Sequence, residues 1–187
     1  MMSAKRCFDI VGAVLALLLL SPLLMATALA VCLDGGRPVL FCQTRVGRHG
    51  LVFEMFKFRS MVTNAAEVGP YFTSTADPRI TRVGRFIRRT SLDELPQLIN
   101  VLKGDMSLVG PRPDVPAQRH LYSEADWVQR CSVRPGITGL AQAMYRSESV
   151  GGQRLEADLR YTREASLCLD LQICWWTLRR LGGQGAN

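Results

Sequence analysis

The sequence is poor in histidine, in aromatic residues and in closely paired cysteines, and each shortage argues against a class of protein. Its 187 residues include two histidines, and aromatic side chains make up 7% of the chain. So few aromatic faces argue against a single-strand nucleic-acid binder, which stacks bases on such faces, and we expect no nucleic-acid partner. None of the six cysteines forms a CxxC pair and neither histidine lies near a cysteine pair, so a zinc site is not expected.

The cysteines and the charged residues indicate the redox environment of the chain and the kind of ligand that it attracts. An even number of cysteines is compatible with disulfides, but their scatter among hydrophobic residues favours buried, reduced thiols in a cytosolic chain. Lys and Arg number 23 against 16 Asp and Glu, which gives a net charge of +7. A surface of this charge attracts phosphate, whether in nucleic acid, on an anionic membrane face or on a phosphorylated substrate.

One long uncharged run lies near the start of the chain. No charged residue occurs between Asp9 and Asp34, and the roughly 24 residues between them would reach about 36 Å as a helix, enough to cross a bilayer. One interpretation is a secretory signal peptide with a cleavage site near Ala28-Leu29-Ala30. The apolar run is long for a signal peptide, however, and the basic remainder of the chain would then have to be exported. The other two are a helix that spans the bilayer and a helix that enters and turns back.

The middle of the run and its flanks bear on the last two interpretations. Pro22 removes a backbone donor and crowds the carbonyl of Leu18, while Ser21 can donate to the preceding turn, so a break is expected there. Basic residues lie on both flanks, which draws both ends toward the cytoplasm. From the residues alone, a re-entrant helix and a kinked spanning helix are equal alternatives. The flanking basic residues are Lys5, Arg6, Arg37, Arg45 and Arg48.

The rest of the chain predicts an α+β, mainly helical fold. Residues 38–43 and 51–58 predict a small β-hairpin with a turn at 47–50. Helices are expected at 64–68, 79–89, 95–102, 115–130 and 154–180, with a stiff turn at 110–113 and a loop at 134–139. The helix at 79–89 is basic and amphipathic, and the last helix ends in tryptophans and arginines. Both are candidates for helices at a lipid surface, although a solvated surface helix and a core-packing helix are the ordinary alternatives.

Two adjacent carboxylates, Asp93 and Glu94, are the most informative polar feature. Pro96 prefers the first position of a helix, so the pair is expected on the turn just before a helix that starts near Leu95. A helix N-terminus stabilises ionised carboxylates and any phosphate nearby, and Arg88 and Arg89 lie just upstream. A phosphoryl-transfer site would result if one carboxylate acts as the nucleophile, the other binds Mg²⁺ and the arginines bind phosphate. Alone, the pattern also fits a salt-bridged surface.

Motifs in a fixed order along the chain decide between these interpretations. The two sharpest motifs run from Ser91 to Gln97 and from Gly104 to Pro113. The others are Lys5-Arg6-Cys7-Phe8-Asp9, Ser21-Pro22, Pro38-Val39-Leu40-Phe41, Gln43-Thr44-Arg45-Val46-Gly47, Lys57-Phe58-Arg59-Ser60-Met61, Asp77-Pro78-Arg79-Ile80-Thr81, Gly84-Arg85-Phe86-Ile87-Arg88 and Arg134-Pro135-Gly136-Ile137-Thr138-Gly139. With these motifs in this order, the chain resembles the bacterial sugar transferase family, the monotopic phosphoglycosyl transferases.

The resemblance implies an enzyme that moves a phospho-sugar from a UDP-sugar to polyprenol (undecaprenyl) phosphate and releases UMP, the first membrane step of surface polysaccharide or glycoconjugate assembly. It implies that Asp93 is the nucleophile, that Glu94 holds Mg²⁺ and that Arg88 contacts phosphate. It assigns Lys57, Arg59, Arg112 and Arg146 to the nucleotide diphosphate. It also implies that residues 1–34 form a re-entrant membrane helix broken at Ser21-Pro22, and that residues 35–187 form a catalytic domain on the cytoplasmic face of the bacterial inner membrane.

The chain departs from the family pattern in one region and leaves several questions open. Residues 143–147 lack the small residue or Asn-Gly expected before Arg146, and Glu156-Ala157-Asp158 lacks an expected tyrosine, so the uridine and sugar contacts there are open. Beginning at the re-entrant segment, the chain resembles the minimal form of the family. A catalytically inactive binder of polyprenol phosphate is a rival, which the intact Asp93, Glu94 and Arg88 oppose. The sugar is not specified, and a homo-oligomer stays an open alternative.

Overall fold

The computed structural model describes residues 3–65, 77–145 and 151–182 and confirms the predicted α+β, mainly helical fold. Two small two-stranded sheets are surrounded by helices, and the first helix is by far the longest. The helix predicted at 64–68 extends into residues 66–76, which lie outside the described residues. The division of the chain at residue 34 stays a prediction.

Helix α1, Ala4–Gly35, contains the whole apolar run. Ser3 caps its start by accepting a hydrogen bond from the Arg6 amide. The helix continues through Pro22, and the Ser21 hydroxyl donates to the carbonyl oxygen of Leu18 at 2.8 Å, as the sequence predicts. No residue from 14 to 26 is buried. Leucine side chains in the middle of α1 are therefore exposed on the surface of the protein, and Leu19 is 78% exposed.

The predicted hairpin is confirmed, with its first strand shifted along the chain. Strand β1, Leu40–Val46, pairs antiparallel with β2, Val52–Phe58, so that Leu40 lies opposite Phe58. The turn between the strands contains a 3₁₀ segment, Arg48–Gly50. Met55 and Phe58 of β2 are buried in two different clusters, and these contacts fix the hairpin against the helices.

Helix α2, Arg82–Arg89, starts three residues later than the predicted helix at 79–89. The reason is a buried ion pair between Arg79 and Asp77 at 2.6 Å, which holds the chain in a turn until Thr81 caps the helix. Helix α3, Gln97–Lys103, starts two residues later and ends one residue later than the helix predicted at 95–102. It ends at Gly104, as predicted, whose φ of 95° suits a residue without a side chain.

Short parallel strands were not predicted. Strand β3, Ser107–Val109, pairs with β4, Gly136–Thr138, so the prediction of a loop throughout 134–139 is wrong. The two strands approach closely at their glycines, because a Cβ on Gly136 would lie 2.1 Å from the Gly110 nitrogen. Strands of three residues lie below the length at which periodicity gives a signal.

The helices of the C-terminal half are shorter than expected. The predicted helix at 115–130 is a 3₁₀ segment, Pro116–Leu121, followed by α4, Glu124–Arg130, which Ser123 caps. Helix α5, Leu140–Tyr145, was not predicted. The single helix predicted at 154–180 is wrong, since α6, Gly151–Glu164, and α7, Leu167–Gly182, are separate. The break follows from Ser166, whose hydroxyl accepts from the Leu169 amide and starts the new helix.

Two packed clusters position these elements. One joins Val109, Leu140, Tyr161 and Ile173 between β3 and the C-terminal helices. The other joins Ala13 of α1 to residues of β2 and α3. On the outer side of α7, Leu171, Trp175 and Leu178 are exposed, so this helix combines a core-packing face with an uncovered apolar face. All six cysteines are free, as predicted, although Cys7, Cys42 and Cys168 are exposed rather than buried.

Candidate active site

The two carboxylates predicted as the catalytic pair lie in a 3₁₀ turn, Leu92–Glu94, between α2 and α3. Ser91 enters this turn with φ of 59° and makes no capping bond through its side chain, so the pair precedes α3 as the position of Pro96 indicates. Asp93 is 9% exposed. No hydrogen bond from any described residue reaches its carboxylate, so both oxygens are available to a ligand.

Glu94 is held by two cations that come from different parts of the fold. Its Oε1 accepts from Lys57 Nζ at 2.8 Å and from Arg112 Nη2 at 2.6 Å, while Oε2 accepts from Arg112 Nη1 at 3.3 Å. Lys57 lies near the end of β2, and Arg112 follows β3. The sheets therefore bring two charges to the turn that carries Asp93.

The surroundings separate the pKa values of the two neighbouring carboxyl groups. Burial raises the pKa of Asp93 to about 6, although the charges of Lys57, Arg88 and Arg112 oppose the rise. Burial also acts to raise the pKa of Glu94, but the charges and hydrogen bonds of Arg112 and Lys57 outweigh it and lower that pKa to about 2. At neutral pH Glu94 is ionised and fully paired, whereas Asp93 titrates near the working range of a catalytic group.

Arg88 lies in the last turn of α2, and its charge reaches Asp93, since it acts to lower the pKa of that carboxyl group. The backbone of Arg112 is held in place, because Arg130 Nη2 and Arg154 Nη2 donate to its carbonyl oxygen at 2.5 and 3.5 Å. The predicted residues Lys57, Arg88, Asp93, Glu94 and Arg112 thus share one site. The arrangement can place a phosphate beside a carboxylate that has no other partner.

The buried ionic network behind Arg112 was not predicted from the sequence. Arg130 pairs with Asp114 at 2.7 Å and with Asp158 at 2.9 Å, and all three side chains are 4% exposed or less. Arg154 also pairs with Asp114 at 3.0 Å, and the Tyr122 hydroxyl donates to the same carboxylate. The sequence contains two local signals for it, an Asp directly after the Gly-Pro-Arg-Pro turn and an Arg just before Cys131.

With this geometry described, the chain can be compared with known proteins. Residues 1–183 match the family described as "Bacterial sugar transferase". The chain belongs to the bacterial sugar transferase family.

Individual relatives of this bacterial sugar transferase carry names that specify reactions. The chain is 50% identical over 190 residues to "Undecaprenyl-phosphate glucose phosphotransferase" of Komagataeibacter xylinus. The aligned region covers 96% of this chain and 36% of that protein. It is 46% identical to "UDP-glucose:undecaprenyl-phosphate glucose-1-phosphate transferase" of Escherichia coli (strain K12), over 93% of this chain and 39% of the relative. The chain thus spans less than half the length of these two relatives.

A relative of similar length is the "Exopolysaccharide production protein PSS" of Rhizobium leguminosarum bv. phaseoli. It is 43% identical over 185 residues, which are 93% of this chain and 92% of that protein. The names of the relatives differ in the sugar, since one of them, from Salmonella typhimurium, is an "Undecaprenyl-phosphate galactose phosphotransferase" at 44% identity. Similarity across the whole chain therefore supports the family and leaves the sugar open.

Arg59, which the resemblance assigns to the nucleotide diphosphate, does not join this cluster. Arg59 is buried, and its Nη2 donates to the carbonyl oxygens of Gly35 and Gly36, where it closes the C-terminal end of α1. Arg146 lies outside the described residues. Ser21 and Pro22 lie midway along α1.

The residues around Glu94 bear on the predicted Mg²⁺ site of this sugar transferase. Among the described ranges no group of three or more His, Cys, Asp or Glu side chains could hold a metal ion. Asp93 has two unengaged oxygens, and Glu94 Oε2 accepts only one long hydrogen bond, at 3.3 Å. Such a donor set fits Mg²⁺, which takes one or two carboxylates and completes its shell with substrate phosphates and waters.

Proposed function

We propose that this protein transfers a sugar phosphate from a UDP-sugar to polyprenyl phosphate, with Asp93 as the covalent carrier. The observation that supports this most directly is a buried carboxylate that accepts no hydrogen bond from the described residues and lies near Lys57, Arg88 and Arg112. An ordinary structural aspartate in such a place would be paired with one of these cations. Here Lys57 and Arg112 pair with Glu94 instead, and Asp93 is left ionisable and unblocked.

The reaction divides into two displacements at the same phosphorus. In the first, an Asp93 oxygen bonds to the phosphorus that carries the sugar, the bridge between the two phosphates breaks, and UMP leaves with the bridging oxygen. In the second, an oxygen of polyprenyl phosphate attacks that phosphorus, the bond to Asp93 breaks, and polyprenyl diphosphate sugar is released. Each step exchanges one phosphorus–oxygen bond for another and restores the carboxylate.

The cations have distinct roles in this proposal. The charge of Arg88 acts on Asp93, and Arg88 forms no salt bridge with a described carboxylate, so it can hold the transferred phosphate. Lys57 and Arg112 are anchored by Glu94, and their remaining donors can hold the leaving phosphate. Mg²⁺, held by Glu94 Oε2 together with substrate phosphates, would neutralise phosphate charge. Arg59 and Arg146 stay assigned to the nucleotide by resemblance alone.

We also propose that α1 is re-entrant and that the catalytic domain lies on the cytoplasmic face of the inner membrane. A straight helix of 32 residues would be about 48 Å long. Near its start, Lys5 pairs with Asp170 of α7 at 2.7 Å, and at its end Arg59 binds the last carbonyl groups. Both ends are thus attached to the folded domain while the exposed middle lacks buried residues, which supports a dip into one leaflet rather than a crossing. The uncovered apolar face of α7 suits the lipid surface.

Native cysteines on either side of the exposed middle of α1 allow its topology to be tested in the unmodified protein. Cys7 and Cys42 are both exposed and free. With a re-entrant α1, an impermeant maleimide should modify both from the cytoplasmic side, in inverted vesicles, and neither in intact spheroplasts. Peptide mass spectrometry distinguishes them from Cys168. Modification of Cys7 and Cys42 from opposite faces would show a spanning helix and contradict the proposal.

The transfer itself is tested by UMP release. Purified protein with polyprenyl phosphate is given a panel of UDP-sugars, with and without Mg²⁺, and both UMP and the lipid product are measured. We expect UMP in amounts equal to the lipid-linked product, and loss of both when Mg²⁺ is chelated. UMP formation without lipid product would identify a hydrolase, and binding of the lipid without UMP would identify an inactive carrier.

The raised pKa of Asp93 predicts a pH dependence for the first displacement. The nucleophile must be ionised, so the rate of intermediate formation should rise as pH increases through about 6 and level off above that value. Glu94, with its pKa near 2, stays ionised throughout. The measurement should use UDP-sugar without the lipid acceptor, because a phosphate monoester also titrates near about 6. A rate independent of pH from about 5 to 8 would contradict the assignment.

A further inference from the structure

A second basic site lies at the start of α1, away from the carboxylate pair. It is a cavity of about 180 Å³, open to the surface, between the first turn of α1 and the segments that follow β1 and precede β4. Four basic side chains and one acidic side chain line it. They are Lys5, Arg6, Arg48, Arg134 and Asp9.

Most of this positive charge is not neutralised by neighbouring acids. Lys5 is paired with Asp170. Asp9 is buried, and its Oδ1 accepts from the Ser107 hydroxyl at 2.8 Å and the Leu108 amide at 3.0 Å. Its charge favours the charged form of Arg134, but the opposing effects of Arg6 and Arg48 on the pKa of Arg134 are larger. The three arginines have no salt bridge to any described carboxylate. Their charges repel one another unless an anion lies between them.

Backbone carbonyl groups hold the three guanidinium groups in place without neutralising them. Arg6 donates to the carbonyl oxygens of Val101 and Leu102 at 2.7 and 3.0 Å. Arg48 Nε donates to Ser132 and Arg134 Nε to Gly104. The Nη groups of Arg48 and Arg134 make no hydrogen bond within the described part of the chain. Two oriented forks with free donors suit a tetrahedral oxyanion.

Independent observations show that these groups are close together. A Cβ on Gly104 would lie 3.4 Å from Arg6 Nη2, and the carbonyl oxygen of Gly104 accepts from Arg134, so both side chains meet at one residue. Burial lowers the pKa of Arg134, and the nearby charges of Arg6 and Arg48 lower it further. Ser3, the N-cap of α1, also lines the cavity, so the positive end of the helix dipole adds to the potential.

The cavity is distinct from the candidate active site. It adjoins the C-terminal end of α3, whose last carbonyl groups bind Arg6, whereas Asp93 precedes the first residue of the same helix. The seven residues of α3 separate the two places by about 10 Å along the helix axis. No residue that contacts Glu94 lines the cavity.

We propose that Arg6, Arg48 and Arg134 form a second phosphate-binding site. The site holds one phosphate group with the free donors of Arg48 and Arg134, beside the N-terminus of the apolar helix. The site lies beside the start of α1, which is packed on the folded domain as far as Ala13, and the exposed apolar stretch of the same helix follows. With the membrane insertion of α1 proposed above, an anionic phospholipid is the favoured source of the phosphate. A soluble phosphate ion offers the same chemistry. The preference for a lipid rests on that proposed insertion, whereas the site itself is independent of the transfer reaction.

Protection of the arginines from chemical modification tests the site in the unaltered full chain. The protein in micelles of an uncharged maltoside detergent is treated with phenylglyoxal, and modification of each arginine is followed by peptide mass spectrometry. One sample receives inorganic phosphate and another receives phosphatidylglycerol. We expect modification of Arg48 and Arg134 to slow, whereas Arg163, exposed on α6, should react at an unchanged rate. Protection by phosphatidylglycerol alone identifies a lipid site, and protection by inorganic phosphate identifies a soluble anion.

Variants give a second readout that does not depend on modification. Arg48→Gln combined with Arg134→Gln should lose a bound phosphatidylglycerol seen by native mass spectrometry, whereas Arg163→Gln, which removes one charge from an exposed position, should retain it. Replacement of both site residues by Lys should restore part of the binding. Equal modification rates with and without either phosphate source would overturn the proposal, as would equal protection of Arg163.

Discussion

Asp93→Asn should abolish the trapped phospho-sugar and reduce transfer by at least about 1,000-fold, because an amide cannot form the acyl phosphate. The measurement uses UDP-sugar labelled in the sugar, given to the protein without lipid acceptor and followed by denaturation and detection of label on the polypeptide. Wild type should retain label and the variant should not. A matched control is Asp105→Asn, which alters a carboxylate beyond the other end of α3.

The same variant should fold at least as well as wild type, which separates chemistry from stability. The folded protein raises the pKa of Asp93 above its ordinary value of 3.8, so between that value and about 6 the folded state binds more protons than the unfolded state. Stability therefore falls as pH rises through this window, and the ionised carboxylate costs on the order of 3 kcal/mol at neutral pH.

Asparagine removes that cost and breaks no hydrogen bond, since the Asp93 carboxylate accepts none from the described residues. The midpoint of unfolding in denaturant should stay equal or rise, most clearly above pH 6, where wild-type Asp93 is ionised. Full turnover in Asp93→Asn would show that another group attacks the phosphorus. A loss of activity accompanied by a large loss of stability would show that Asp93 is structural.

The local parts of the fold could be predicted from the sequence, and the long-range pairings could not. The apolar run and the alternation in residues 51–58 specify α1 and the hairpin because each pattern lies within one segment. Pro96 fixed the start of α3, which placed Asp93 and Glu94 on a turn. Strands β3 and β4 are three residues each, and they exist because Gly110 and Gly136 allow two distant segments to touch.

The candidate site shows the same limit at the level of single side chains. Lys57 and Arg59 are separated by one residue, and the resemblance gave both of them to the nucleotide. The fold directs Lys57 to Glu94 and Arg59 to the end of α1. Nothing in the local sequence distinguishes them, because the difference arises from two distant segments that meet the C-terminal end of β2, the turn with Glu94 and the end of α1. The partners of Arg130 are likewise 16 and 28 residues away along the chain, and no periodicity connects them.

The second large effect is expected at Arg130, which lies outside the site and supports it. Arg130→Met should lower the free energy of unfolding by about 3–5 kcal/mol, because it leaves the buried carboxylates of Asp114 and Asp158 without their shared cation. Burial already raises the pKa of Asp158, and Arg130 opposes that rise. Without Arg130 the Asp158 carboxyl group should take up a proton more readily, so the loss of stability should be smaller in acid than at neutral pH.

Arg160→Met is the matched control, because it removes the same side chain from an exposed pair with Glu164, in which the two side chains are 55% and 50% exposed. That change should cost less than about 0.5 kcal/mol in urea unfolding of the detergent-solubilised chain. Arg130 also donates to the carbonyl oxygen of Arg112, so Arg130→Met should weaken donor binding under conditions where the variant is still folded. Similar costs for the two substitutions would mean that the network is solvated and does not position Arg112. A stability loss at Arg130 with an unchanged KM for the UDP-sugar would confine its role to folding.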